Sequence, residues 1–246
     1  MTITKEQQYA SPLSIVVIIL ISYITLAVFI LWQLFNRIIE LYSPENISFK
    51  NGYFILQPEG QHISILELYT LNDFVYHFFI PIGIISVYAL VRKWNFKIFF
   101  GFNNFHRSQN WIYFISAVII IIGINLIMPP PDVEAAKFFN RIAQGQSIVQ
   151  LIIIVGILIP IIEEIIFRRL LYDLFNFSIP KASPWLGIIL SSLIFAFLHY
   201  QYQEVAMIGT LAVSMILSFG RYYTNGIVIP ILIHIVVNSI GCFMIM

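Results

Sequence analysis

The chain has 246 residues, of which 59% are hydrophobic and only 10% are charged, and its formal net charge is +1. A soluble domain of this length could not bury so much apolar surface, so the composition excludes an ordinary soluble protein. The balanced charge gives no reason to expect nucleic acid as a partner, and the single cysteine, Cys242, excludes an internal disulfide and a zinc cluster built from cysteines.

Long apolar runs follow one another along the chain and predict about seven membrane spans, within a range of six to eight. The fold class predicted from them is all-α, a polytopic transmembrane helical bundle. The first run is too long for a signal-peptide core, so we take it as a retained span. The predicted spans are Leu13–Phe35, Phe74–Val91, Trp111–Met128, Ile148–Tyr172, Pro184–Tyr202, Val205–Tyr222 and Gly226–Met246. No repeat or linker divides the sequence, and a single membrane domain of residues 1–246 is the simplest description.

The connection between the first two predicted spans has the pattern of a β-hairpin outside the bilayer. Asn51-Gly52 separates two β-prone runs within residues 47–56. An Asn-Gly pair favours the two-residue turns that join antiparallel strands, so a short hairpin is predicted here.

The distribution of basic residues predicts the orientation of the chain, because Lys and Arg collect on the cytoplasmic side of a membrane. With the N-terminus inside, four of the 13 basic residues face outward, namely Arg37, Lys50, Lys137 and Arg141. The other nine are then cytoplasmic: Lys5, Arg92, Lys93, Lys97, Arg107, Arg168, Arg169, Lys181 and Arg221. A multi-pass protein of the cell membrane with a cytoplasmic N-terminus is the predicted arrangement.

Two carboxylates lie inside the fourth predicted span, at Glu163 and Glu164. An ionisable side chain in a hydrocarbon layer costs about 2.5 kcal/mol or more, so each of them needs a partner or a function. Glu164 and Arg168 are four residues apart on one helical face, which predicts a structural ion pair. Glu163 points about 100° away from that face. It has no local counter-charge and is the candidate reactive carboxylate.

Two further polar patterns follow, Phe195-x-x-x-His199 late in the fifth span and His234-x-x-x-Asn238 in the seventh. His234 and Asn238 project from one helical face, and Phe195 can form a wall of the pocket beside His199. With Glu163, these side chains suit hydrolysis. The carboxylate takes a proton from water that His199 orients, and His234 and Asn238 hydrogen-bond the oxyanion on the scissile carbonyl.

Each histidine also has a structural interpretation. A single His in a span is more often a packed residue or one whose polar tip reaches the membrane surface. The combination of three spacings in a fixed order favours catalysis, because independent structural residues should not reproduce it. The topology also leaves a conflict in depth, with Glu163 in the cytoplasmic half of its span and His199 toward the outer end of the next. A fourth span that continues toward Phe177 would reduce this conflict.

In this order, the patterns Glu163-Glu164-x-x-x-Arg168, Phe195-x-x-x-His199 and His234-x-x-x-Asn238 resemble those of the CPBP family. That family comprises type II CAAX prenyl endopeptidases and bacteriocin-processing or Abi proteins. The resemblance implies a helical bundle with its site inside the membrane, and a catalytic core within residues 148–246. It also implies a glutamate-dependent peptidase mechanism with four functional residues, Glu163, His199, His234 and Asn238.

Zinc is an alternative, since Glu163, His199 and His234 could supply two nitrogens and a carboxylate. The sequence contains no His-Glu-x-x-His pattern, and asparagine is a poor zinc ligand. A mechanism with no cofactor and no required metal is therefore the prediction, with His234 and Asn238 as the oxyanion hole.

Three functions follow from these patterns. The first is an intramembrane endopeptidase that cuts a small membrane-delivered peptide or protein, such as a bacteriocin or pheromone leader or a lipidated C-terminus. The second is a bacteriocin self-immunity protein of the same fold. The third is a non-catalytic membrane scaffold or transporter whose buried charges line a pathway. The predicted partners are a peptide or lipidated-protein substrate and membrane lipids, and no nucleic acid.

Overall fold

A computed structural model describes residues 12–41, 47–50, 53–56, 61–64, 71–91, 95, 97, 106–128, 140, 142–178, 184–199 and 204–245. Within these ranges the chain forms long helices and one small sheet. The helices are α1 (Pro12–Leu41), α2 (Leu71–Val91), α3 (Ser108–Ile127), α4 (148–178), α5 (Trp185–Leu198), α6 (Glu204–Thr224) and α7 (Val228–Ile245). The predicted helical bundle is confirmed, and its seven helices match the predicted spans in number.

The sheet lies between α1 and α2 and has three short antiparallel strands in the order β1-β2-β3. They are β1 (Ile47–Lys50), β2 (Tyr53–Leu56) and β3 (Gln61–Ser64). Lys50 is paired with Tyr53, so β1 and β2 are joined across the two predicted turn positions, which themselves lie outside the described residues. The predicted hairpin is confirmed, and β3 extends it into a meander that the sequence did not indicate.

Most of the helices carry the apolar surface expected in a lipid environment. Three apolar stretches are long enough to cross a bilayer, Val16–Gln33, Ser108–Ile127 and Ile148–Asn176. Shorter apolar helices cover Phe78–Val91, Trp185–Leu198 and Val228–Met244. Large hydrophobic side chains remain exposed on these helices, and such a surface is stable where lipid tails cover it. The protein is therefore a helical membrane protein, and its N-terminal segment with Lys5 lies outside the described residues.

Helix α4 lies at the centre of the bundle. Its residues Ile162 and Ile165 pack in one hydrophobic cluster with Ile18 of α1, Ile85 of α2 and Phe195 of α5. A second cluster joins α3, α6 and α7, and α7 also packs along the first half of α4. The middle of α4 is therefore surrounded by other helices, which shields its polar side chains from lipid.

Two π-helical segments interrupt α4. They cover Ile152–Leu158 and Ile165–Leu171, and the short α-helical stretch Ile159–Glu164 lies between them. Pro160 has no amide N–H to continue the α-helical hydrogen-bond ladder, and it follows closely after the first π segment. π-Helical turns occur frequently at functional sites. Glu163 and Glu164 both lie in the short α-helical stretch between these two π segments.

The lengths of α4 and α5 remove the predicted conflict in depth. Helix α4 continues to residue 178, beyond the predicted end at Tyr172, so Glu163 is its middle residue. Helix α5 has only 14 residues and rises about 21 Å, less than the thickness of a bilayer core. It ends at Leu198 rather than at the predicted Tyr202. Its C-terminal end lies at the level of Glu163, since His199 Nε2 is 3.9 Å from Glu163 Oε1.

His199 itself contributes to the end of α5. Its backbone leaves the helical region with φ −99° and ψ 30°. Its Nδ1–H donates to the Phe195 carbonyl over 2.8 Å. Because the last carbonyls of a helix have no intrahelical partner, a side chain that donates to one of them stabilises the helix end.

Candidate active site

Glu164 and Arg168 form the predicted ion pair, and both side chains are fully buried. Glu164 Oε2 lies 3.2 Å from Arg168 Nε. The Arg168 guanidinium also donates to Ser214 Oγ of α6 over 2.9 Å, and it lies over the Phe195 ring at 4.6 Å from the ring centroid. The pair predicted from i, i+4 spacing is therefore present, and it links α4 to α5 and α6.

His234 of α7 lies between the two carboxylates. Its Nδ1–H donates to Glu164 Oε1 over 2.8 Å, and its Nε2 lies 3.6 Å from Glu163 Oε2. The side chain is 7% exposed. Glu164 therefore contacts both Arg168 on its own helix and the imidazole of His234 on α7. The spacing of residues within α4 predicted the first contact but could not predict the second.

Glu163 is more accessible than Glu164, with 21% of its side chain exposed. Its Oε1 lies 3.9 Å from His199 Nε2, and its Oε2 faces His234. Both separations exceed a direct hydrogen bond and leave room for a bridging water or a reacting group. Glu163 thus faces two imidazoles that come from two other helices.

Phe195 forms the wall of this site. Its ring centroid lies 4.4 Å from that of His199 and 6.1 Å from that of His234. Phe167 packs against it edge to face at 4.9 Å. The ring is buried, so it fixes both imidazoles from one side and excludes water there. The support that Phe195 gives to the reaction stays a prediction.

Asn238 lies one turn after His234 on α7. Its Nδ2 donates to the Val155 carbonyl, in the first π segment of α4, over 3.4 Å. A Cβ at nearby Gly156 would lie only 2.7 Å from Ser239 Oγ, so glycine permits the close approach of α4 and α7 at this point. Asn238 is therefore next to the site, with one of its amide hydrogens directed to the backbone of α4.

The structure brings three of the four predicted functional residues into mutual reach, Glu163, His199 and His234, and places Asn238 on the same helix face as His234. Their roles in catalysis remain predictions. Among the described residues, no group of three or more His, Cys, Asp or Glu side chains is arranged to hold a metal ion. Metal independence also remains a prediction.

Sequence reasoning missed several polar residues around the site. Asp173 of α4 pairs with Arg169 on its own helix and with Arg221 of α6, the latter over 3.0 Å. The i, i+4 spacing of Arg169 and Asp173 was a signal that could have been read. Tyr23 of α1 lies within electrostatic reach of Glu163, and no spacing in the sequence indicated it.

Helix α6 carries its polar residues on one buried face. Ser214 binds Arg168, and Ser218 lies 3.2 Å from Ser191 and 3.0 Å from Ser192 by their hydroxyl oxygens. Arg221 continues this face one turn later. Spacings of three and four residues keep these side chains in line. Along this face, Ser214 contacts the Glu164–Arg168 pair and Arg221 contacts the cluster of Arg169 and Asp173.

Comparisons with known proteins agree with the motifs. Residues 145–240 match the family model described as type II CAAX prenyl endopeptidase Rce1-like. An Escherichia coli protein named "Uncharacterized 24.3 kDa protein" is 28% identical over 127 residues, which cover 50% of this chain and 58% of that relative. No solved structure gave a significant match. The chain thus spans little more than half the length of this curated relative.

The matched region contains every residue of the three motifs, from Glu163 to Asn238. The predicted CPBP family resemblance is therefore confirmed for residues 145–240.

Proposed function

We propose, from the Rce1-like domain in residues 145–240, that this protein is an intramembrane endopeptidase that hydrolyses a peptide bond of a small membrane-delivered peptide or protein. The observation that carries the proposal is the position of Glu163. It is a partly buried carboxylate that faces two imidazoles from two other helices, at 3.9 and 3.6 Å. A carboxylate next to imidazoles rather than in a tight guanidinium pair is available to accept a proton from water.

In the proposed reaction, Glu163 takes a proton from water while the water oxygen forms a bond to the scissile carbonyl carbon. His199 orients this water through Nε2, because its Nδ1–H is committed to the Phe195 carbonyl. The carbonyl π electrons move to oxygen and give an oxyanion. Cleavage of the C–N bond then releases the amine, which takes the proton from Glu163.

The oxyanion needs hydrogen-bond donors that are in place before it forms. We assign this role to His234 Nε2–H and to Asn238 Nδ2. Both side chains project from α7 at i, i+4 spacing, and both are held by α4, through Glu164 and Val155 respectively. Donors fixed by a neighbouring helix cost little reorganisation when the charge develops.

The substrate class follows from the surroundings of the site. Glu163 lies halfway along α4, inside an apolar bundle, so a peptide must reach it from the membrane or through a narrow polar entrance. An extended leader peptide of a bacteriocin or pheromone, or a lipidated C-terminus, fits this requirement better than a folded protein. We further propose a multi-pass arrangement with the N-terminus in the cytoplasm and a reaction that needs no metal.

The decisive experiment incubates purified protein with candidate leader and lipidated peptides and identifies the products by mass spectrometry. We expect the wild type to cleave at one bond and Glu163→Gln to cleave at least about a hundredfold more slowly, since a general base contributes that much or more. Asn125→Ala, a change at an exposed polar residue of α3, is the matched control and should retain activity.

Two outcomes would count against the proposal. Full activity of Glu163→Gln would remove the carboxylate from the mechanism, and no cleavage by the wild type, with solute accumulation in vesicles, would favour a transporter. A chelator arm tests the metal separately. Activity that disappears with chelator and returns with zinc would overturn the metal-free mechanism while leaving the peptidase.

A further inference from the structure

We infer that Glu164 is a positioning residue that keeps His234 as a doubly protonated imidazolium, so that Nε2–H of His234 can donate to the oxyanion. This inference deepens the proposed function and rests on it for the oxyanion. The helical spacing of Glu164 and Arg168 accounts only for a structural pair. The contact of Glu164 with α7 adds a second task for the same carboxylate.

The first step is the assignment of protons on His234. A carboxylate oxygen accepts hydrogen bonds and does not donate them, so the 2.8 Å contact with Glu164 Oε1 places a proton on Nδ1 of His234. A neutral imidazole carries only one N–H. If His234 were neutral, its Nε2 would carry no hydrogen. It would then face the negatively charged Glu163 as a second acceptor and could not donate a hydrogen bond to an oxyanion.

The second step is the charge balance of the site. Glu163, Glu164 and Arg168 together carry one uncompensated negative charge, in a region where one imidazolium would neutralise it. His234 contacts both carboxylates, at 2.8 and 3.6 Å. Nε2 of His199 lies 3.9 Å from Glu163, and its Nδ1–H donates to a carbonyl. Opposite charges at short distance favour the charged form, so the proton belongs on His234.

The groups that face this pair from the neighbouring helices do not change the balance. Helix α5 contributes His199, α6 contributes the neutral Ser214 on Arg168, and α1 contributes the phenol of Tyr23 within reach of Glu163. Asn238 on α7 is neutral. Arg168 is the basic side chain that forms an ion pair with Glu164.

Arg168 completes the arrangement. Its Nε lies 3.2 Å from Oε2 of Glu164 while Nδ1 of His234 lies 2.8 Å from Oε1, so each oxygen of this buried carboxylate has a partner that holds it in place. An anionic carboxylate that orients a histidine and stabilises its charged form is the arrangement of the Asp-His pair in serine proteases. In this chain the carboxylate is itself held by a buried guanidinium.

The test replaces both charges of the pair with amides in the variant Glu164→Gln/Arg168→Gln. The amide introduced in place of the Glu164 carboxylate has the same shape and would keep an oxygen acceptor for Nδ1–H, while the anionic partner of His234 is lost. Replacing Arg168 as well avoids a buried guanidinium without its carboxylate. We expect kcat to fall about 100- to 1000-fold, as for the loss of an oxyanion donor. KM should stay within a factor of about two, because the donor acts only in the transition state.

Binding provides a readout that a structural role would not change. A phosphinic analogue of the cleaved peptide carries an anionic oxygen in place of the oxyanion, and its affinity should fall by the same factor as kcat/KM. The conservative variant Arg168→Lys keeps both charges and should keep kcat far closer to wild type. A folded double variant with wild-type kcat and inhibitor affinity would overturn the inference.

A measurement on the wild type covers the case in which the double variant does not fold. Solid-state ¹⁵N NMR of histidine-labelled protein, with His234→Gln to assign the signal, should show both nitrogens of His234 protonated at neutral pH. A His234 signal from an unprotonated nitrogen would refute the inference. This spectrum is independent of turnover, so failure of the peptidase assay and failure of the inference are distinguishable.

Discussion

Replacement of the buried ion pair one residue at a time should be far more damaging than replacement of both partners together. Arg168→Gln leaves the Glu164 carboxylate buried without its guanidinium, and Glu164→Gln leaves Arg168 in the same condition. Both side chains are fully buried, and breaking such a pair costs about 3–5 kcal/mol. Glu164 keeps its contact with His234, and Arg168 keeps its contacts with Ser214 and the Phe195 ring, so we expect the lower end, about 3 kcal/mol each.

The double variant carries no buried charge at these positions, and two amides can bond to each other and to the same neighbours. We expect it to lose only about 1 kcal/mol, since neutral replacement of a buried pair is often nearly neutral. The two single effects therefore should not add. Their sum, about 6 kcal/mol, exceeds the loss expected for the double variant by about 5 kcal/mol, and this difference is the coupling between the two residues.

The assay is equilibrium unfolding of purified protein in mixed micelles, with increasing SDS and tryptophan fluorescence as the signal. Arg107→Gln removes an exposed guanidinium at the start of α3 and serves as the matched control, with an expected change within about 0.5 kcal/mol. Single variants whose effects simply sum in the double variant would refute the reasoning. So would an Arg168→Gln protein as stable as the control.

Two further substitutions test contacts that hold the site together. Gly156→Ala places a Cβ 2.7 Å from Ser239 Oγ and should push α7 from α4. Peptide cleavage should fall while membrane abundance stays normal, and added Ser239→Gly should restore part of it; unchanged cleavage would show that this close approach is dispensable. Asp173→Asn leaves two buried guanidiniums, Arg169 and Arg221, without their shared carboxylate. The free energy of unfolding in the same micelle assay should fall by about 3–5 kcal/mol, and wild-type stability would contradict a structural role for this cluster.

Patterns that depend on neighbours in sequence were predictable from the chain alone. The apolar runs determined the helical membrane bundle, because only helices satisfy their backbone hydrogen bonds within one segment of lipid-buried chain. Asn51-Gly52 determined the hairpin, and the four-residue spacing of Glu164 and Arg168 determined their ion pair. The ordered motifs also indicated which residues to consider for catalysis, since each spacing places its members on one helical face.

Only the tertiary structure decided how residues from different helices meet. The contact of His234 with Glu164 joins positions 70 residues apart, and no local spacing encodes it. The shortness of α5 brings His199 to the depth of Glu163. The two π segments of α4 likewise arise within an apolar sequence that gives no local signal for them. The buried charges needed partners by the physics of a low-dielectric interior, but packing alone determined which partners they found.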